Sequence, residues 1–437
     1  MKIFFIGRRQ RNKVSSVLIE SSLDNIIMLD CGYQPGSIDD INIPNNLISK
    51  INAIFLTHAH LDHWGYLPRI VDKGYNGPIY MTRATNDLLE NYAFKESFNR
   101  LPEKDRLNYK ELIYKLRNLI KNIDYGSPVN IKDFSIILLP ANHILGSAQV
   151  IVEEIKSKRQ ILYTGDFNPG DNFLFESVNL TDLKNKYGLI IKPDYVIMEC
   201  SNVDLRDLEY KHQEENFIRL VNETFINMAN ILIPCKALGD AQEFLIRYLY
   251  YCLNKNLSMP SEIFTIGSLL KVNEVYFKFK DSFKDPSFVD FFKMTMLISD
   301  FDDYIKSNFA NMRDLFFENK RDYGIKLFVA TGGSLEVGSS RQIYNKLKNN
   351  PNNLIITMKY PYGIKCKAKT INLKIFSLHG NFDAIMRYIK EIQRLNSSHY
   401  FLIHGSINNL KLMNEHLNKL NIKNSIPKIG DAIKIGV

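Results

Sequence analysis

The sequence predicts a layered α/β protein, and three observations support this fold class. Short apolar runs bounded by polar turns fill the first third of the chain, which is typical of β-strands. Longer amphipathic runs, at 240–253 and 383–395 for example, have the spacing of helices that cover a sheet. No internal repeat or low-complexity linker interrupts the two kinds of run. Strands mixed with covering helices pack as layers around a core.

In the first half of the chain, apolar runs predict strands at 3–6, 16–20, 26–30, 53–57, 78–81, 135–139, 149–153, 161–166 and 193–199. In the second half they predict strands at 231–234, 326–331, 374–377 and 400–403. Helical spacing predicts two helices within 86–124, separated at Leu101-Pro102, and further helices at 240–253, 341–348, 383–395 and 409–420. Residues 255–325 are expected to mix helix and loop.

Composition narrows the class of protein. Of 437 residues, 45% are hydrophobic and 24% are charged, which excludes a disordered chain, a collagen-like fibre and a small disulfide scaffold. The net charge of +9 permits a nucleic-acid partner without requiring one. No apolar run reaches the ~18–20 residues that cross a bilayer, and five scattered cysteines indicate a reducing compartment. We therefore expect a soluble cytoplasmic protein with no membrane partner.

The strongest chemical signal lies at 57–65, which reads Thr-His-Ala-His-Leu-Asp-His-Trp-Gly directly after a predicted strand. Imidazole and carboxylate together suit Zn²⁺ or a similar divalent ion. His58 and His60 alternate on an extended segment, so both rings can face one ion. Asp62 and His63 continue into a tight turn and can reach a second ion. The alternative is a polar loop that happens to contain several histidines.

Three further residues lie at or just after predicted strand ends, near glycines: His143, Asp166 and His404. One such residue alone is more often structural. Three of them, in a chain that also contains the HxHxDH segment, indicate a two-metal site.

This set of residues resembles the metallo-β-lactamase superfamily. The resemblance implies an αββα sandwich with two metals at one edge of its sheets. It implies one metal on His58, His60 and His143, a second on Asp62, His63 and His404, and Asp166 as the bridge between them. Asp30, in Leu-Asp-Cys-Gly, matches the family's early aspartate, which would hydrogen-bond a ligand histidine and set its tautomer.

Three more segments resemble the β-CASP nucleases of that superfamily. Residues 196–202, with Glu199, resemble motif A; residues 376–383, with His379, resemble motif B; residues 403–406, with His404, resemble motif C. The resemblance implies a metallo-β-lactamase domain at 1–204 and 351–437, with an α/β β-CASP domain inserted at 205–350. Among these nucleases, the chain resembles the endonuclease subunit of the cleavage and polyadenylation specificity factor and its archaeal relatives.

The resemblance implies a zinc-dependent ribonuclease, because RNA-processing members usually carry histidine at motif C where DNA-repair members carry valine. Two Zn²⁺ ions, or Mn²⁺ in their place, would share a water that acts as the hydroxide nucleophile. His379 would be the general acid and Glu199 would orient it. Asp62 and Asp166 would contribute to catalysis as metal ligands. The partner would be RNA.

Other segments predict contacts with RNA less specifically. The glycine-rich run 332–341 suits a phosphate, and the candidate residues are Ser334, Ser339, Arg341 and, elsewhere in the chain, Ser147. The basic residues of 8–13 are either an RNA clamp or a solvated loop. Trp64 is either a base-stacking platform or, by preference, a core residue. Lys236 lies in a segment where the family usually has an aromatic-containing turn, and Asp240 replaces the arginine of the Gly-Arg-Ala-Gln-Glu that usually follows it.

Several functions stay open at this point. An endonuclease is favoured over a 5′→3′ exoribonuclease of the ribonuclease J type. A non-catalytic RNA-binding subunit would have lost metal ligands, and an ester or thioester hydrolase of the superfamily would not need the insertion, Glu199 or His379. The sequence also leaves open a homodimer or a place in an RNA-processing complex.

Overall fold

The computed structural model describes the whole chain except residues 9–12, 33–42, 44, 171–172, 177, 261, 286–324, 337, 359–364 and 437. The chain forms two compact units. The first consists of Met1–Asn172, Ser177–Arg206 and His379–Val437, and the second of Phe173–Glu176 and Asp207–Leu378. Across the described ranges, no helix combines the length and the apolar character needed to cross a membrane.

The first sheet of the first unit has seven strands in the order β19-β1-β2-β3-β4-β5-β6. These strands are β1 (Lys2–Arg8), β2 (Lys13–Glu20), β3 (Ile26–Leu29), β4 (Ile51–Phe55), β5 (Ile79–Met81), β6 (Ile120–Asn122) and β19 (Ala432–Lys434). Strands β3 to β6 run parallel to one another, whereas β19, β1, β2 and β3 pair antiparallel.

The second sheet also has seven strands, in the order β18-β17-β11-β10-β9-β8-β7. These strands are β7 (Val129–Ile131), β8 (Phe134–Pro140), β9 (Ala148–Glu154), β10 (Gln160–Tyr163), β11 (Tyr195–Glu199), β17 (His399–Ile403) and β18 (Asn424–Ser425). Strands β10, β11 and β17 are parallel. Strand β8 points the same way as β10, since each pairs antiparallel with β9.

The two sheets pack face to face around one apolar core, to which β1 contributes Phe5, β4 contributes Phe55 and β11 contributes Ile197. A second core lies on the other face of the second sheet, where Leu183 and Ile389 belong to the helices that cover it. The helices of the first unit are α1 (Asn45–Ile48), α2 (Leu61–Trp64), α3 (Leu67–Asp72), α4 (Arg83–Leu88), α5 (Phe94–Arg100), α6 (Glu103–Leu119), α7 (Leu180–Tyr187), α12 (Phe382–Leu395) and α13 (Ile407–Lys419). The expected αββα sandwich is confirmed.

The second unit has one five-stranded parallel sheet in the order β13-β14-β12-β15-β16. Its strands are β12 (Ile231–Cys235), β13 (Glu262–Ile266), β14 (Lys326–Thr331), β15 (Leu354–Thr357) and β16 (Lys369–Asn372). Its described helices are α8 (Asp207–Ile226), α9 (Asp240–Asn254), α10 (Leu269–Lys278) and α11 (Ser339–Leu347). Asp240 begins α9, where a carboxylate is favourable because it faces the positive end of the helix dipole.

The structure departs from the sequence prediction around residue 374. The strand predicted at 374–377 is wrong: Ser377 donates a backbone hydrogen bond to the Lys374 carbonyl (3.0 Å), which closes a turn. The strand instead lies earlier, at β16, where the residues pair with β15. The boundary predicted at residue 350 precedes β15 and β16, and both strands belong to the sheet of the second unit.

Candidate metal centre

Several of the candidate ligands lie in loops that directly follow strands of the sandwich. His58 follows β4, His143 follows β8, Asp166 follows β10 and His404 follows β17. In the second sheet β8, β10 and β17 run the same way, so the loops after them emerge at the same edge of that sheet. The predicted strand 161–166 ends at Tyr163 in the structure, which places Asp166 in the loop beyond it.

One group of side chains consists of His58, His60, His143 and Asp166, whose ligand atoms all lie within 4.8 Å of one another. His60 Nδ1 is 3.1 Å from His58 Nε2 and 3.0 Å from His143 Nε2. His58 and His143 are buried. Burial first, and then the neighbouring imidazoles of His63, His143 and His60, lower the pKa of His58 well below its usual range. The ring is therefore neutral, as a metal ligand must be.

A second group consists of Asp62, His63 and His404. His404 Nε2 lies 3.5 Å from Asp62 Oδ2. The rings of His63 and His404 are 5.2 Å apart between centroids. Asp62 and His63 lie on α2, the short helix that begins directly after the extended segment carrying His58 and His60.

Asp166 lies between the two groups and offers one oxygen to each. Its Oδ2 is 3.9 Å from His58 Nε2 and 3.7 Å from His143 Nε2, whereas its Oδ1 is 3.4 Å from His63 Nε2 and 3.1 Å from His404 Nδ1. Burial alone would raise the pKa of Asp166, but the imidazoles around it, led by His404, hold this pKa well below its usual range. The carboxylate is therefore ionised and faces both groups.

Unpaired polar atoms show that this set of residues fits metal ions. His63 Nε2, His404 Nε2 and Asp166 Oδ1 are buried, and within the described parts of the chain none of them makes a hydrogen bond. Such atoms are costly unless something satisfies them. Imidazole nitrogens and carboxylate oxygens suit a divalent ion of the zinc type.

Asp30 fixes the orientation of the His63 ring through a hydrogen bond to Nδ1. It lies after β3 in a left-handed backbone conformation (φ 56°) and is fully buried. His63 Nδ1 lies 2.7 Å from Asp30 Oδ2, which keeps the ring proton on Nδ1 and leaves Nε2 for a metal. Thr57 donates its backbone N–H to Oδ1 (2.7 Å) and its hydroxyl to Oδ2 (2.9 Å), and the Tyr163 hydroxyl also donates to Oδ2 (2.8 Å). Sequence analysis did not identify Thr57 or Tyr163, because their roles depend on contacts between strands.

Glu199 and His379 form a buried pair beside Asp166. His379 Nδ1 is 2.8 Å from Glu199 Oε1 and 4.0 Å from Asp166 Oδ2. The Glu199 carboxylate also accepts backbone N–H groups from Phe167 (3.2 Å) and Ser201 (2.7 Å). Burial first, and then the charge of Asp166, raise the pKa of Glu199 to about 7.

Two predicted contact residues have structural partners. Ser147 is buried, and its hydroxyl accepts hydrogen bonds from the backbone N–H groups of His143 (2.9 Å) and Ile144 (3.2 Å), so it shapes the loop that carries His143. Trp64 is buried, donates to the Ala59 carbonyl (3.0 Å) and packs on an aromatic ring, as a core residue does.

The remaining predicted contact residues lie away from these groups in the chain. Ser334, Ser339 and Arg341 belong to the second unit, where Arg341 donates to the Leu335 carbonyl (3.2 Å). In the basic segment 8–13, residues 9–12 lie outside the described residues, as do the side chains of Arg8 and Lys13. An RNA-binding role for either set stays a prediction.

Comparison with known proteins gives three findings. The family model described as "Metallo-beta-lactamase superfamily" matches residues 9–197. The chain is 25% identical to transcription termination factor FttA of Methanothermobacter thermautotrophicus, covering 84% of this chain and 61% of that protein. It is 26% identical to cleavage and polyadenylation specificity factor subunit 3-I of Arabidopsis thaliana, covering 90% of this chain and 57% of that protein.

A solved structure adds evidence for the fold alone. A protein of unknown function from Enterococcus faecalis aligns over 99% of both chains with a TM-score of 0.56 and 13% identity. The chain spans about three-fifths of the length of the two curated relatives above. Their names therefore support proposals about this chain and no more.

Proposed function

Since the chain contains a metallo-β-lactamase domain and its curated relatives confirm the resemblance to β-CASP nucleases, we propose that it is a metal-dependent ribonuclease that hydrolyses phosphodiester bonds. One observation carries this proposal: two groups of ligand-type side chains face opposite oxygens of Asp166, and the Glu199–His379 pair lies 4.0 Å from the same carboxylate. Ligands for two ions and a positioned acid–base pair together form an arrangement that can hydrolyse phosphodiester bonds.

The residues would hold two divalent ions, for which we propose zinc because histidine predominates among the donors. His58, His60 and His143 would bind one ion, Asp62, His63 and His404 the other, and Asp166 both. Such ions supply an activated water and offset the charge that develops on the phosphoryl oxygens. Manganese is the alternative, since the same donors accept it with lower preference.

His379 would protonate the leaving oxygen. Its Nδ1 lies 2.8 Å from Glu199 Oε1, and we assign the transferred proton to Nε2, the other ring nitrogen. Glu199 is held on both oxygens by protein donors and cannot rotate away without breaking them. It would therefore fix the orientation of the imidazole and stabilise its charged form.

RNA is the proposed substrate class because the motif C position carries histidine, His404, as in the RNA-processing members that the sequence resembles. Endonucleolytic cleavage is the favoured mode and 5′→3′ exonucleolytic cleavage is the alternative. A part in a larger RNA-processing assembly or a homodimer is a further proposal; the name of the Arabidopsis relative, a subunit, supports the assembly.

Labelled RNA tests the proposal directly. The chain is incubated with RNA labelled at its 5′ or 3′ end, with a chelator, and with Zn²⁺ or Mn²⁺ added back. We expect cleavage that the chelator abolishes and one of the metals restores. Internal products from an RNA with a blocked 5′ end would establish an endonuclease, whereas loss of all cleavage upon blocking would establish the exonuclease. Absence of cleavage with a fully metal-loaded chain would refute the proposal.

A further inference from the structure

Ser201 contacts His404 in two places, and neither contact belongs to the ligand set described above. The Ser201 hydroxyl is 3.1 Å from the His404 backbone oxygen and 3.1 Å from His404 Nδ1. The residue follows β11 by two positions, whereas His404 follows β17, so only strand pairing brings them together.

The chemistry of the two contacts determines which His404 nitrogen is protonated. A carbonyl oxygen can only accept, so the single hydroxyl proton goes to the His404 carbonyl. The hydroxyl oxygen then accepts from Nδ1–H, which leaves Nε2 with a free lone pair. Nε2 is the buried atom that lacks a hydrogen bond, and it faces Asp62 Oδ2 at 3.5 Å.

The Asp166 carboxylate does not accept the His404 Nδ1–H in place of the Ser201 hydroxyl. Asp166 Oδ1 is also 3.1 Å from His404 Nδ1, yet this oxygen makes no hydrogen bond in the described structure. The direction of Nδ1–H thus favours Ser201 and leaves Asp166 Oδ1 available to an ion.

The Ser201 hydroxyl also stabilises the backbone conformation of His404. Its φ of 47° lies in the left-handed region, which residues with a side chain seldom adopt. The His404 carbonyl accepts both the Ser201 hydroxyl and the Cys200 backbone N–H (3.0 Å), and these two bonds hold the conformation.

We propose that Ser201 is a positioning residue for the second ligand group: its hydroxyl sets the Nδ1–H tautomer of His404 and aims Nε2 toward Asp62. This inference rests on the proposed metal binding and deepens it. Ser201 also donates its backbone N–H to Glu199, and a side-chain substitution leaves that bond in place.

The test measures metal affinity. Ser201→Ala should weaken the binding of one of the two ions about 10–100-fold in chelator competition, as loss of a residue that orients a metal ligand does, while the other ion binds as in the wild type. Ser201→Thr keeps the hydroxyl and should restore the affinity; Ser201→Cys, a weak donor, should be intermediate. Ser398→Ala removes a buried hydroxyl of the same unit, bonded to the Pro193 carbonyl, and should change the affinity for neither ion.

Two readouts separate this role from a general structural one. Nitrogen-15 spectra of the zinc-loaded wild type should show His404 protonated at Nδ1. Three results would each overturn the proposal. They are an unchanged affinity for both ions in Ser201→Ala, an Nε2–H tautomer of His404 in the wild type, and a wild type that binds fewer than two ions. A chain that behaves as predicted toward metal but cleaves no RNA would refute the proposed function and leave the role of Ser201 standing.

Discussion

Replacing Asp30 with asparagine tests a side chain near the candidate centre that accepts four hydrogen bonds. Oδ2 accepts from the Thr57 hydroxyl, the Tyr163 hydroxyl and His63 Nδ1 at 2.7–2.9 Å, whereas Oδ1 accepts one N–H at 2.7 Å. An amide nitrogen can only donate, so the substituted side chain would keep its one oxygen toward the three donors. Its nitrogen would then face the Thr57 N–H, and that buried group would lose its acceptor.

The expected cost follows from this geometry. An unpaired buried N–H costs about 1–3 kcal/mol, and each of the three remaining bonds loses about 1 kcal/mol when its acceptor becomes neutral. The metal-free Asp30→Asn chain should therefore unfold with a free energy about 4–6 kcal/mol lower than the wild type. One ion should also bind about 10–100-fold more weakly, because His63 is no longer held by a carboxylate.

Urea unfolding and chelator competition measure the two effects. Tyr163→Phe is a milder variant of the same test. It removes one of the four donors to Asp30 and keeps the contact to His63, so it should cost about 1.5–3 kcal/mol with little change in metal affinity. If Asp30→Asn unfolded like the wild type and bound both ions as tightly, the positioning role of Asp30 would be wrong.

Three further predictions concern the acid–base pair and the core of the second unit. His379→Ala should slow RNA cleavage about 10²–10⁴-fold at unchanged metal content, whereas the exposed His212 replaced by alanine should have no effect; equal rates for the two variants would exclude the general acid. Burial raises the pKa of Glu199 to about 7 in the folded metal-free chain, whereas the same group in the unfolded chain releases its proton near pH 4.5. The folded chain is therefore stabilised by the protonated carboxyl at low pH, and it loses this stability as the pH rises from 4.5 toward 7. Glu199→Gln should therefore gain stability relative to the wild type between about pH 5 and pH 8 in urea unfolding, and a constant difference across this range would contradict the assignment. Arg247 and Glu243 form a buried ion pair on α9, so Arg247→Met should lower the free energy of unfolding by about 3–5 kcal/mol by leaving a buried charge unpaired; the double variant with Glu243→Gln should recover most of this loss, and equal losses would argue against the pair.

The fold class was predictable because its signal is local. Strands such as β4 and β11 are continuous apolar runs, and α12 repeats apolar residues at helical spacing, so each element indicates its own type. Prediction failed at 374–377, where an apolar segment closes a turn. It also did not resolve β13 or α8, whose identity depends on packing within the second unit.

The sequence by itself determined which residues we assign to the proposed chemistry, since the spacing of His58, His60, Asp62 and His63 places four ligand-type groups on one short segment. Only the tertiary structure decided how residues far apart in the chain meet. His143, Asp166 and His404 come together because β8, β10 and β17 run the same way and end at one edge of the second sheet. The contacts of Tyr163 with Asp30 and of Ser201 with His404 join different strands, and hydrogen bonds of this kind depend on register and burial, which no local pattern encodes.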